Sequence, residues 1–351
     1  MKRLLNVCLV IGMAIVLMTP AAGSAQDTVY RWKFIAIAPV QLPTGKFLAD
    51  AFERVKKQTD GKLNIQFVYI GQTPYKGNDA LRVIRDGLAE GIDMLNGYNA
   101  GDSPYLGVAE LPFLTPEYTR DYNEFYATSE RVWNNPVLAA AMRKEWDRFN
   151  AEPVGRFYWG INEISSKKPI RKPADLKGLQ IRDYSPEGAD VLKAFGASAT
   201  QLTGADVYPA LQRGICDGII SSMQGTLYAK WFEVLNSAYI LHFRASSSHL
   251  VFNKGKYDSL PEEYRKILKV ELKKATDQIL EFTVKDTYRI EKKFAEELKW
   301  VVTYPGSEDY KTMRGTAKKA AWPKWLERVG PEGKAVLEAC MKAAGDNKDG
   351  L

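Results

Sequence analysis

Histidine and cysteine are scarce in this chain. Of 351 residues, only His242 and His249 are histidines and only Cys8, Cys216 and Cys340 are cysteines. Their spacing matches no metal motif, so the paired-cysteine and clustered-histidine zinc patterns are excluded. A glycine-flanked nucleophile serine, a glycine loop ending in Lys-Ser or Lys-Thr, and a dinucleotide fingerprint are also missing. These absences disfavour an enzyme, and no cofactor is expected. Carboxylate pairs such as Glu262-Glu263 and Glu296-Glu297 fall on charged helical faces, where a solvated surface is the expected role. Charge of one sign is not in excess either. The 49 lysines and arginines face 42 acids, a formal +7, and they are spread along stretches such as Arg54-Val55-Lys56-Lys57. A nucleic-acid footprint needs basic clustering with stacking aromatics, so none is expected.

Long hydrophobic runs are absent after the first twenty residues. Lys2 and Arg3 precede an apolar run at 4–18, and Ala21, Ala22, Gly23, Ser24 and Ala25 follow. That order predicts a secretory signal peptide over 1–25, cleaved after Ala25. A membrane anchor needs roughly twenty apolar residues, whereas this run stops at Thr19-Pro20. Cys8 lies inside the run, without the setting of a lipoprotein cysteine. Export permits a disulfide between Cys216 and Cys340 but spacing does not decide it, and buried free thiols are expected.

The mature chain reads as alternating strand and helix. Val29, Trp32, Phe34, Ile35 and Ile37 place a strand at 28–38. Phe47, Leu48, Ala51, Phe52 and Val55 then recur at helical spacing until Asp60-Gly61. Leu63, Ile65, Phe67 and Tyr69 alternate as a second strand. A helix carrying Leu81, Ile84 and Leu88 leads through Gly91 into a third strand at 92–95. This β-α-β-α-β order predicts a mostly parallel sheet wrapped by helices. The same grammar returns later: a helix closed by glycine and a short aspartate-bearing strand occur at 81–94 and again at 207–220. Two such copies predict two similar α/β lobes. Strand-like segments at 238–243 and 249–253 follow, then a long helical region opening at Leu260-Pro261 and running for roughly ten turns. Trp300, Trp322, Trp325 and Leu326 mark packed terminal elements, and the tail from Gly345 is expected to fray.

Residues 169–218 hold the densest set of motifs. They read Pro169-Ile170, Asp175-Leu176-Lys177-Gly178, Ile181-Arg182, Gly196-Ala197, Asp206-Val207-Tyr208-Pro209-Ala210-Leu211-Gln212-Arg213-Gly214 and Asp217-Gly218. In this order they resemble the signature of the DctP family, the extracytoplasmic solute-binding proteins of TRAP transporters. The resemblance implies a two-lobed α/β periplasmic-binding-protein fold with a hinge, an interlobe cleft and a long helix spanning both lobes. Lobe I would comprise 26–153 and 244–280, and lobe II 154–243 and 281–351. The implied function is capture of a small organic acid in the periplasm for a membrane permease of small and large integral subunits. A monomer is expected. A periplasmic sensing subunit is the alternative, and a secreted enzyme a weaker one.

Arg182 stands at the end of an apparent strand. A guanidinium matches a carboxylate in bidentate fashion and keeps its charge at any working pH. The residue alone leaves two readings open, a ligand clamp or a surface ion pair with Asp175 or Asp183; the resemblance implies the clamp. It also places further contacts at Ser185, Ser221, Gly204, Asp206 and, in the first lobe, Tyr98 or Asn99. At Asn162 the family's second arginine would fall, so that charge is missing here. One arginine, a glycine where a phenyl ring often sits and small serines at the far wall predict a roomy pocket of lower positive charge, with Trp159, Tyr158 and Tyr98 as candidate walls. The expected ligand is a monocarboxylate with a bulky apolar or aromatic body.

Overall fold

The computed structural model describes residues 28–346, so the expected signal peptide lies outside the described residues. Nine strands occur in the described chain: β1 (Tyr30–Ala36), β2 (Leu63–Tyr69), β3 (Gly91–Leu95), β4 (Ala151–Ser166), β5 (Gln180–Asp183), β6 (Ser198–Gln201), β7 (Gly218–Ser222), β8 (Ser237–Asn253) and β9 (Val301–Thr303). They form one sheet in the order β2-β1-β3-β8-β4-β7-β5-β6, with β9 added alongside β8.

Each half repeats one plan. β1 pairs in parallel with β2 and β3, and β5 pairs in parallel with β6 and β7. The third strand of each trio then meets a long strand antiparallel, β3 against β8 and β7 against β4. The two glycine-closed helices marked in the sequence are therefore equivalent elements. Gly87 and Gly214 end them at φ +65° and +72°, a left-handed conformation that a side chain disfavours. The sheet is mixed rather than mostly parallel. β4 and β8 pair antiparallel along nearly their whole length and run from one half into the other.

Two sequence expectations need correction. The helix expected to carry Leu81, Ile84 and Leu88 is a short Ala80–Arg85, and Leu88 is exposed beyond it. The segments at 238–243 and 249–253 are one 17-residue strand, buried throughout, because the polar run between them lies inside the molecule. Of the tail from Gly345, the Asp346 carboxylate is buried and pairs with Arg314, and residues 347–351 lie outside the described residues. Cys216 and Cys340 are free and buried.

The first helix, Pro43–Gln58, starts with proline at its first position and buries Leu48, Ala51, Phe52 and Val55 on one face. Against it lies the 31-residue helix Glu262–Lys292, about 46 Å long. Leu268, Leu272, Ala275 and Ile279 join the first-half core around β1 and β2, while Ile290 belongs to the core built on Val207, Leu211 and Ile219. One helix thus ties both halves together.

Candidate ligand site

Between the halves is a cavity of about 720 Å³, bounded by the carboxyl ends of β1, β2, β3, β5 and β7 and by the long helix at Phe282 and Thr283. Crevices beyond the carboxyl ends of parallel strands are the usual binding places of such sheets. Aromatic rings form much of the wall, including Tyr69, Tyr75, Trp159, Tyr228, Trp231 and Phe282.

Arg182 lies on this cavity and is 2% exposed. β5 ends one residue later, and its alternation sends Arg182 and Tyr184 to the cavity face while Ile181 enters the core. The guanidinium Nε and Nη2 donate to the Leu202 carbonyl at 3.0 and 2.6 Å, Nη1 donates to the Ile220 carbonyl at 3.3 Å, and Nη2 reaches the Tyr98 hydroxyl at 3.4 Å. Among the described residues no acid pairs with it. Asp183 is committed to Arg244, and Asp175 accepts the backbone N–H groups of Arg171 and Lys172. The surface ion-pair reading therefore has no support in the geometry.

Of the other residues singled out in the sequence, Tyr98, Trp159, Asn162, Gly204 and Ser221 also line the cavity. The Tyr98 hydroxyl accepts the Gly204 N–H at 2.9 Å, at the first residue of the helix Gly204–Gln212. The Trp159 indole donates to Ser248 at 2.7 Å, which fixes its ring. Four residues stand elsewhere. Ser185 caps the helix Pro186–Ala194 and receives Arg244 Nη1 at 2.7 Å. Asp206 sits on the rim, 3.4 Å from Lys76 of the opposite half. Asn99 is buried and donates to the carbonyls of Gly77 and Leu95. Tyr158 lies in the core, where Arg156 donates to its hydroxyl.

Beside Asn162 the sequence reading missed Arg244, its direct partner across β4 and β8. This second arginine is buried, 2.6 Å from Asp183, and donates to Asn162 and Tyr184 at 3.1 Å each. Its charge is neutralised within the protein and it is not part of the cavity wall. Tyr184, Trp231, Gln224 and Lys76 were also missed. Tyr184 was legible in principle, since it stands two residues after Arg182 and therefore on the same face of the extended chain.

The family model of DctP, described as bacterial extracellular solute-binding protein family 7, matches residues 35–327. The chain is 28% identical over 221 residues to the 2,3-diketo-L-gulonate-binding periplasmic protein YiaO of Escherichia coli K12, covering 61% of this chain and 63% of that protein. It is 24% identical to the C4-dicarboxylate-binding periplasmic protein DctP of Rhodobacter capsulatus, covering 88% and 90%. Among solved structures, DctP6 of Bordetella pertussis, an extracytoplasmic solute receptor binding pyroglutamic acid, superposes with a TM-score of 0.79 at 20% identity, over 89% of this chain and 99% of that one. The two-lobed fold is the same. Among the described residues no helix is long and apolar enough to cross a membrane. The resemblance first met in residues 169–218 thus extends over the greater part of the sequence, and the chain belongs to the DctP family of bacterial extracellular solute-binding proteins.

Proposed function

We propose that this protein captures an organic acid in the cleft and delivers it to a TRAP-type membrane permease, and that the acid is a monocarboxylate with a bulky apolar or aromatic body. The observation that carries this reading is Arg182, a buried cation on an aromatic cavity with no acid among the described residues to balance it. An unbalanced buried charge costs several kcal/mol. A ligand carboxylate supplies the missing countercharge, and charge-assisted hydrogen bonds contribute about 1.5 to 3 kcal/mol each. The acids named for the relatives, a diketogulonate, C4-dicarboxylates and pyroglutamate, support a carboxylate as the class. The volume and the aromatic walls support a large apolar body, and the pairing of Arg244 with Asp183 leaves a single buried cation for a single carboxylate.

Closure follows from the same layout. Tyr98 belongs to the first half while Arg182 and Gly204 belong to the second, so a ligand at the guanidinium touches both and shifts the population towards the shut form. The closed pair of lobes, with limits at 26–153 plus 244–280 and 154–243 plus 281–351, then forms the surface presented to the permease in the periplasm. Arg182→Ala is expected to weaken carboxylate binding at least 100-fold, about 2.7 kcal/mol, in titration calorimetry. Near-normal affinity in that variant removes the assignment. Thermal-shift screening over aromatic, aliphatic and sugar acids tests the ligand body, and stabilisation by sugar acids alone would reject the bulky monocarboxylate.

A further inference from the structure

The charged groups of the cavity wall are of one sign. Among the described residues the lining includes Arg182 and Lys76 and contains no aspartate, glutamate or histidine. The acids nearby stand off the wall and each has a partner of its own. Asp206 accepts from Thr203 at 2.8 Å and Lys76 at 3.4 Å, Asp183 pairs with Arg244 at 2.6 Å, and Asp93 accepts the Ile37 N–H at 3.2 Å. The fixed acceptors around Arg182 are spent as well. The Leu202 and Ile220 carbonyls take the guanidinium itself, and Asn162 Oδ1 takes the Tyr184 hydroxyl at 2.6 Å together with Arg244.

What remains unspent near the guanidinium is donors. Arg182 uses one of its two Nη1 hydrogens, and Asn162 uses one of its two amide hydrogens, on Ser246 at 3.3 Å. The Tyr98 hydroxyl accepts from Gly204 and Arg182, which polarises its own hydrogen, and that hydrogen has no acceptor among the described residues. Gln224 Oε1 is an unpartnered acceptor, but it is a neutral amide oxygen packed where a Cβ on Gly160 would come within 2.8 Å of it. Its orientation is set chemically, because the other end of the amide donates to the Thr283 carbonyl at 3.1 Å.

We infer that the site selects acids lacking any cationic group and rejects the zwitterionic amino acid of the same skeleton. This deepens the proposed function and rests on the carboxylate being held at Arg182. An α-ammonium sits two bonds from the carboxylate carbon, so anchoring the carboxylate brings the ammonium close to the guanidinium. There it would lose its water, meet a like charge and find no anion to pair with. Buried charges are retained only where they are paired and hydrogen-bonded. A hydrogen, keto or hydroxyl substituent at the same carbon carries no such penalty, since the unspent donors serve a neutral oxygen equally well.

The test is calorimetry on the purified protein at neutral pH with matched pairs: 3-phenylpropanoate and L-phenylalanine, 3-(indol-3-yl)propanoate and L-tryptophan, 4-methylpentanoate and L-leucine. In each pair that binds, the deaminated acid is expected to bind at least 100-fold more tightly. An amino acid within tenfold of its deaminated partner overturns the inference while leaving carboxylate capture intact. 3-Phenylpropanamide keeps the body without the anion; binding as tight as that of its acid would overturn the carboxylate reading, and the inference with it. Failure of all six acids to bind rejects the bulky-acid reading and likewise ends the inference.

Discussion

Two buried arginines with opposite fates define this site. Arg182 has only neutral partners, whereas Arg244 holds Asp183 at 2.6 Å with both side chains almost wholly buried. Burial works against the charge of Arg244, but Asp183 outweighs it and keeps the guanidinium firmly protonated. Removing one member of such a pair strands the other charge, a loss of about 3 to 5 kcal/mol. Asp183→Asn is therefore expected to lower the urea-unfolding free energy by that much, while Arg182→Met, which strands no countercharge, costs less than half of it. Equal losses in the two variants would show that Arg182 is balanced inside the protein. Arg182 was legible in the sequence because a strand end and a motif position coincide there. Arg244 was not, because it meets Asn162 only through the β4–β8 register, more than eighty residues away along the chain. A second buried arginine is thus present behind the wall, but its charge is spent on Asp183.

At the scale of elements, the crossing strands join the two halves. Of the three register slips between β4 and β8, two fall next to the cavity, the first between Tyr158 and Gly160 and the second between Asn162 and Ile164. At the second slip Glu163 accepts the backbone N–H of His242 at 2.8 Å and also that of Leu241, so one carboxyl satisfies a bulge where His242 takes φ +50°. At the first, Gly160 has φ +132°, and a Cβ there would lie 2.6 Å from Ser222 Cβ and 2.8 Å from Gln224 Oε1. Both strain and overlap oppose a side chain. Gly160→Ala is expected to cost about 2 kcal/mol or more in urea unfolding, and an unchanged midpoint would show that the strand pair yields freely here. The first-half strands and their helix were readable because apolar residues recur at clean periods of two or 3.6. β8 was read as two pieces because Arg244-Ala245-Ser246-Ser247-Ser248-His249 carries no alternation. Those polar side chains are satisfied instead by partners such as Glu110, Asn96 and Asn162, which no local pattern can announce.

Across the whole molecule, buried titratable groups of two kinds pull stability in opposite directions with pH. Burial raises Asp93 and Glu110 to about 7, and raises Glu163 as well. Unfolded, such acids titrate near pH 4. Between about pH 4 and 7 the folded protein keeps protons that the unfolded chain has lost, so this contribution is full at low pH and fades as pH rises to 7. His242 is lowered by burial to about 3, and His249 is lowered as well. Their ordinary value is near 6.5, so below it the unfolded chain binds protons that these rings refuse. The histidine contribution is therefore lost as pH falls. From pH 6.5 to 5 the raised acids, Glu187 among them, outnumber the two histidines, so stability is expected to rise modestly as pH falls. Asp93→Asn with Glu110→Gln removes two of the four opposing acids while keeping acceptors for Ile37 and Ser247. Relative to the parent, the double variant is then expected to lose stability on going from pH 6.5 to 5, by up to about 1.4 kcal/mol per pH unit for each acid removed. Urea titrations of both proteins over that range measure the difference in slope. Parallel curves would mean that Asp93 and Glu110 are ionised in the folded state, with Arg244 and the donors around each carboxyl outweighing the cost of burial.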